Sequence, residues 1–357
     1  MRVINHIIIH FYITSTALFD IQEVYFVRLK RFFLDLLPTP LVWIIARPYV
    51  AGDSMQKALD KVDELWKNNH IMSTVDLLGE DVKTTDEVEQ MVQIYLTLLD
   101  KLQDNASHVT VSVKPTALGV NFSDELCITN LKRILDKATS YGIGVTMDME
   151  NSPFTDKTLQ LYNELHPLYD NFGTVLQTRL FRTEKDIQNL PDHSHVRLCI
   201  GIYNEDKEIA YQKKSEMKDK LVSYVEPMHD KGHFVAVATH DEPTIRKVFD
   251  IVDQRKLGPK DIEFQFLLGV PREKIHKEIQ ERGFNVRQYV PFATKKKYAT
   301  AYALRRFDEN PHMAIYVLNN LFGQKWFQVL FSVAVLGVLA VSFILFQDKF
   351  MNFLQMK

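Results

Sequence analysis

The chain has 357 residues, 46% hydrophobic and 25% charged, with a formal net charge of −2. That is enough apolar material for a full core, since an α/β barrel alone takes about 250 residues, and it leaves no basic excess of the kind nucleic-acid binding requires. The two cysteines, Cys127 and Cys199, lie outside any C-x-x-C or Cys/His cluster; this argues against a disulfide framework or a metal site and for a reducing compartment.

In chain order, residues 1–45 form an N-terminal segment. Its first stretch, 3–19, is moderately apolar but diluted by His6, His10 and Ser/Thr residues, and it makes a poor signal peptide. Residues 25–37 set Arg28, Lys30 and Arg31 among aromatics in a short amphipathic pattern, suited equally to a membrane surface or to packing on a folded domain. Residues 54–68 predict a helix ahead of the first strand. Strands are then predicted over 72–78, 108–114, 144–150, 174–178, 196–203, 234–239, 263–269 and 286–290. Between them lie segments of 3.6-residue apolar spacing, 85–102 and 155–169 among them, several opened by Asp or Thr as helix N-caps. Short apolar strands separated by helices imply a parallel sheet covered on both faces. Eight such units suit a (β/α)8 barrel better than an open sheet, and no G-x-G-x-x-G follows the first strand.

The polar residues fall where such a barrel builds its site, at the carboxyl ends of strands. Lys114, Asp148 with Glu150, Gln177, His240, Leu267 and Tyr289 occupy those ends, whereas Arg197 sits near the start of its predicted strand. Beyond the last strand, ATAYALRRFDENP (299–311) puts Tyr302, Arg305, Arg306 and Glu309 at i, i+3, i+4 and i+7, one face of a helix. Two adjacent guanidinium groups there form either a carboxylate clamp or a basic surface patch. Residues 326–346 (WFQVLFSVAVLGVLAVSFILF) carry no charge. At 1.5 Å per residue such a helix spans roughly 30 Å of hydrocarbon, so the expectation is a C-terminal transmembrane helix with 347–357 as a short tail. A buried core helix is the alternative.

Several stretches resemble the proline dehydrogenase family: AGDS from Ala51, STVDLLGE (73–80), VSVKPTALG (111–119), MDMENSPFTDKTLQLY (147–162), VLQTRLFRT (175–183), VRLCIGIYNE (196–205), VATHD (237–241), FQFLLGV (264–270) and YVPF…YALRRFDENP (289–311). They run in collinear order over about residues 45 to 315. The resemblance implies a distorted (β/α)8 TIM-type barrel over 46–315, with FAD as cofactor, L-proline as substrate and 1-pyrroline-5-carboxylate as product. It implies that Lys114, Arg305 and Arg306 hold the proline carboxylate, that Tyr302, Leu267 and Tyr289 surround its ring, and that Asp148 steadies the cations. Arg197 would lie beside the flavin, with Gln177, Thr239, His240 and Glu309 helping to hold it.

Electrons would pass to a membrane quinone, and the apolar tail would make the protein a single-pass membrane protein. Its catalytic domain would be cytoplasmic at a bacterial inner membrane, the mitochondrial inner membrane being the alternative. The sequence departs from the family pattern at Ile200, where lysine is usual, at Ile202, where alanine is common, and at Ala293, where glycine is usual. VATH also replaces the commoner FATH. Two other readings remain open at this stage, a folate-related flavin barrel oxidoreductase and a membrane-anchored barrel that has lost catalysis and acts as a scaffold.

Overall fold

Side-chain caps open four of the helices. Ser54, Thr84, Ser123 and Asp241 each accept a hydrogen bond from the backbone N–H three residues on, at 3.1–3.4 Å. These caps satisfy amides that a helix start leaves without intrahelical partners. The helices are α1 (Met55–Asn69), α2 (Thr85–Leu102), α3 (Asp124–Tyr141), α4 (Ser152–Leu165), α5 (Thr183–Asn189), α6 (Lys214–Asp230), α7 (Glu242–Arg255), α8 (Glu273–Glu281) and α9 (Lys296–Glu309). The computed structural model describes residues 47–79 and 82–309. The chain divides into two compact units, Met1–Arg305 and Arg306–Lys357.

In the first unit eight parallel strands close into a barrel in sequence order. They are β1 (Met72–Leu78), β2 (Val109–Val113), β3 (Gly144–Met147), β4 (Phe172–Gln177), β5 (His195–Cys199), β6 (Phe234–Ala238), β7 (Ile262–Leu267) and β8 (Val286–Ala293). Closure comes from β1 on β8, in a register running from Met72 opposite Arg287 to Leu78 opposite Ala293. The predicted α/β barrel is therefore present, with strand boundaries shifted by up to a few residues. The shift that matters is in β5, which starts at His195 and ends at Cys199, so Arg197 is mid-strand rather than at its opening. The AGDS stretch finds its use here too. Ala51 N–H donates to Pro291 at 2.8 Å and Gly52 accepts from Ala293 N–H at 3.1 Å, extending the sheet contact at the end of β8.

The apolar core lies between strands and helices. Val62, Val92, Leu98, Leu131, Ile134, Leu221, Val225, Ile245 and Val248 are buried from the helix side, and Val75, Val111, Val145, Leu198 and Phe264 from the strand side. The α1 helix packs against β1 and β8, the seam where the barrel closes.

The expected C-terminal transmembrane helix and single-pass membrane location are corrected. Among the described residues no helix is long and apolar enough to cross a membrane. The longest, α2 and α3 at 18 residues each, are amphipathic; α2 carries Asp86, Glu87, Glu89, Asp100 and Lys101, charges that hydrocarbon would not accept. Residues 326–346 lie outside the described residues, as does the segment 1–45.

Two buried histidines outside the charged cluster make the fold sensitive to acid. Burial pushes both His233 and His276 down to about 4, and His276 rests edge-on against Phe266 with ring centroids 4.3 Å apart. A histidine held neutral in the fold contributes stability that is complete above its ordinary value of 6.5. That contribution is lost as pH falls toward 4, because the unfolded chain takes up the proton first. His276→Phe keeps the aromatic contact and removes the proton site. Its Tm, followed by circular dichroism, should therefore fall less than that of the parent chain between pH about 7 and about 4.5.

Candidate functional site

Alternating residues on a strand share one face, and the polar residues of this barrel use that rule. Ser112 on β2 is followed two residues on by Lys114; Glu263 and Gln265 alternate on β7; Arg287 and Tyr289 alternate on β8. Some bonds of the site join strands that are not neighbours, and such strands can meet only through the barrel interior. Asp148, directly after β3, receives Arg197 Nη1 of β5 at 2.6 Å and the Tyr289 hydroxyl of β8 at 2.7 Å. Arg197 Nε donates to Gln265 Oε1 of β7 at 2.7 Å.

Asp148 is the hub. Ser112 Oγ donates to its Oδ1 at 2.5 Å, and Lys114 Nζ lies 3.2 Å from its Oδ2. Lys114 also donates to Asp76 Oδ1 at 2.5 Å and reaches the Tyr289 hydroxyl at 3.5 Å. The Arg197 guanidinium stands over the Tyr289 ring, 5.1 Å from its centroid. Burial pushes the Asp148 carboxyl up, but the charges of Lys114 and Arg197 outweigh it, and hydrogen bonds from Ser112 and Tyr289 add to them. The net effect holds Asp148 below the usual carboxylate range. Burial, reinforced by the charges of Asp148 and Asp76, pushes the Tyr289 phenol well above its ordinary value. Near neutral pH, Asp148 is thus a fixed anion and Tyr289 a fixed hydroxyl donor.

The other expected site residues lie at strand ends of the barrel and on α9. Gln177 ends β4 and donates through Nε2 to the carbonyls of Met149 and Glu150, at 3.3 and 2.9 Å. Thr239 and His240 follow β6 directly, and His240 Nε2 accepts the backbone N–H of Leu267, the last residue of β7, at 3.1 Å. On α9 Tyr302 is buried and Arg305 half-buried. Arg306 and Glu309 follow on the same helix, within the second compact unit. The barrel therefore brings Lys114, Asp148, Arg197 and Tyr289 into one hydrogen-bonded cluster and sets Gln177, Thr239, His240 and Leu267 at strand ends around it.

Sequence reasoning left Asp76, Ser112, Glu263, Gln265 and Arg287 unassigned. Their signal was present as polar residues alternating through otherwise apolar strands, IEFQFL in β7 being the clearest. Burying unpaired charge at such positions would cost several kcal/mol, so charges placed there imply partners. A groove of about 370 Å³, lined by residues including Leu159, Asn163 and Arg182, lies outside the barrel on α4 and α5. Its charges pair with one another, Arg182 with Asp156 at 2.6 Å and with Asp186 at 2.8 Å, and it shares no residue with the cluster.

One polar atom of the cluster and one at a strand end beside it stay open among the described residues. Arg197 Nη2 and Gln177 Oε1 are buried without a hydrogen-bond partner among the described residues. They project from neighbouring strands, β4 and β5, whose register sets Val175 opposite Arg197 and Gln177 opposite Cys199. Gly201, at φ +91°, leaves the space beside Gln177 Oε1 clear, since a Cβ there would collide with that oxygen. A buried donor and a buried acceptor on adjacent strands, both unused among the described residues, fit a bound group whose edge carries both kinds of atom.

The proline dehydrogenase family model matches residues 58–200 and 206–317. Proline dehydrogenase 1 of Bacillus subtilis (strain 168) is 31% identical over 277 residues, 77% of this chain and 90% of that protein. A proline dehydrogenase of Deinococcus radiodurans is 30% identical over 294 residues, 81% of this chain and 93% of that protein. Among solved structures, proline utilization A from Bdellovibrio bacteriovorus superposes with a TM-score of 0.67 at 24% identity over 74% of this chain. The Bradyrhizobium japonicum protein of the same name gives 0.62 at 18% identity over 74%. This chain spans about a third of the length of those two solved chains, 32% and 30%, and at these identities they support the barrel fold alone. On the match of the family model and the likeness to full-length relatives, the chain belongs to the proline dehydrogenase family.

Proposed function

We propose that this chain oxidises L-proline to 1-pyrroline-5-carboxylate with FAD as its redox group, and that a quinone takes up the electrons. The observation that carries this reading is the buried charge chain Asp76–Lys114–Asp148–Arg197 at the carboxyl end of the barrel. It holds one cation on each side of Asp148. Lys114 serves the substrate carboxylate, with Arg305 of α9 as its second partner. Arg197 serves the flavin. Leu267, Tyr289 and Tyr302 supply apolar wall for the pyrrolidine ring, as a substrate with one charged end and an otherwise apolar body requires.

When bound, the flavin supplies the electron-pair acceptor for the hydride leaving proline C5. The chain's own residues bind and orient. Arg197 Nη2 and Gln177 Oε1 offer the donor and acceptor that the ring edge needs. Thr239 and His240 stand at the next strand end, and the His240–Leu267 hydrogen bond ties the cofactor side of the site to the ring side. The Arg197 cation, fixed before the reaction begins, favours negative charge arriving beside it. Asp148 and Tyr289, each far from its titration range, keep the cations apart without moving a proton.

A dye-reduction screen with proline, hydroxyproline and folates tests the reading; proline should be turned over, and activity on folates alone would overturn it. Gly201→Ala adds a test of the cofactor side. Its methyl would displace Gln177 Oε1 and so remove an acceptor from the cofactor side, a loss of about 0.5–1.5 kcal/mol of binding. Flavin retained per mole of purified protein should fall about two- to twelve-fold at limiting flavin, measured by absorbance.

A further inference from the structure

The buried charges continue beneath the part of the barrel that the proposed reaction uses. Gln265 Oε1 accepts from Arg197 Nε at 2.7 Å, and Gln265 Nε2 donates to Glu263 Oε1 at 2.7 Å. Glu263 Oε1 accepts in turn from Arg287 Nε at 2.8 Å, and Arg287 Nη1 donates to the Ser73 carbonyl at 3.0 Å. All four residues are more than nine-tenths buried, with Arg197 8%, Gln265 9%, Glu263 3% and Arg287 8% exposed. Charge alternates along the whole chain of contacts, from Arg287 through Glu263 and the neutral Gln265 to Arg197, Asp148, Lys114 and Asp76.

A glutamine amide has a donor end and an acceptor end, and rotation about its last torsion exchanges them. Glu263 Oε1, paired with Arg287 at 2.8 Å, accepts from the NH2 end of Gln265, which leaves the amide oxygen for Arg197. Arg287 keeps Glu263 in place. Arg197 is then held at two different nitrogens by two different strands, Nε by Gln265 of β7 and Nη1 by Asp148 after β3. One contact would let the guanidinium plane swing; two on separate nitrogens fix it. Its remaining nitrogen, Nη2, has no partner among the described residues. Nothing in the proposed chemistry needs Glu263 or Gln265 to touch substrate or cofactor.

We infer that Glu263 and Gln265 are positioning residues, which set the plane of Arg197 and thereby aim its Nη2 at the flavin ring; the inference rests on the placement of Arg197 beside that ring. Without the Gln265 oxygen, Arg197 Nε is left buried and unsatisfied, and the guanidinium turns to find an acceptor. The cation stays in the barrel but no longer faces the place where negative charge develops. The effect should be read on the electron-accepting side, because the proline carboxylate is assigned to other cations.

The test is the midpoint potential of the flavin in the purified full-length protein, with Gln265→Met and Arg197→Met measured in parallel. Gln265→Met should lower the equilibrium constant for two-electron reduction at least about tenfold, a shift of about 30 mV to more negative potential. Its kcat should fall about tenfold while KM for proline stays within about twofold. Arg197→Met should shift the potential further in the same direction. If Arg197→Met shifts it and Gln265→Met does not, the positioning role is overturned and the placement of Arg197 stands. If neither shifts it, Arg197 is not beside the flavin and the inference falls with that placement. Should Gln265→Met fail to fold, as judged by circular dichroism, Gln265→Asn keeps both amide ends on a stem one methylene too short to bridge Glu263 and Arg197. It carries the same expectation, and a parental potential in that variant would overturn the role.

Discussion

Asp148→Asn should lower kcat/KM for proline by at least about 100-fold, a loss of about 2.7 kcal/mol of transition-state stabilisation. Asparagine keeps the shape and one acceptor oxygen, so what is removed is the charge. In the barrel that charge faces Lys114 at 3.2 Å and Arg197 at 2.6 Å, while Tyr289 and Ser112 donate to it at 2.7 and 2.5 Å. Its loss leaves two buried cations, of which Lys114 pairs with Asp76 while Arg197 has no other carboxylate partner among the described residues. Removing one partner of a buried ion pair typically costs about 3–5 kcal/mol, so the variant should also unfold at lower temperature. Steady-state dye reduction and thermal melts at neutral pH, where the parent carboxylate is fully ionised, measure the two effects separately. A folded Asp148→Asn protein with parental kcat/KM would remove Asp148 from the hub.

Arg305→Met should raise the apparent KM for proline by about 10- to 150-fold with a smaller change in kcat. A hydrogen bond to a charged group is worth about 1.5–3 kcal/mol, and methionine keeps most of the side chain's apolar length while losing its fork of donors. Loss of carboxylate binding common to the bound substrate and the transition state appears in KM. The Lys114 cation remains, and for that reason activity should be recoverable at high proline concentration. An unchanged KM would show that α9 does not supply the clamp.

How far these residues were legible in the sequence follows from what periodicity encodes. The short β-branched runs 72–78 and 286–290, and the helical spacing of 85–102, carry element type directly; β1 and α2 begin and end where those segments do. Lys114, Asp148 and Gln177 were legible as polar residues ending apolar runs, the positions a barrel exposes to ligand. Arg197 was harder because the apolar run continues past the end of β5 through Ile200 and Ile202, which made its start look further from the mouth than it is. Partnership was not legible. Periodicity says which face a side chain takes but not which strand faces it across the barrel, so the Arg197–Gln265 and Asp148–Tyr289 bonds needed the closed fold. Asp76 was hidden by an apolar strand, its charge balanced by Lys114 from a residue 38 positions away. The departures at Ile200 and Ala293 cost little locally. Ala293 is fully buried at the end of β8 with its N–H bonded to Gly52, and Ile200 packs against the core.

The visible spectrum of the purified protein tests the flavin-dependent proline site. Flavin absorption should bleach when proline is added without oxygen and return on adding a quinone or dye. A colourless protein that does not take up FAD, or a flavin band that proline leaves unchanged, would contradict it.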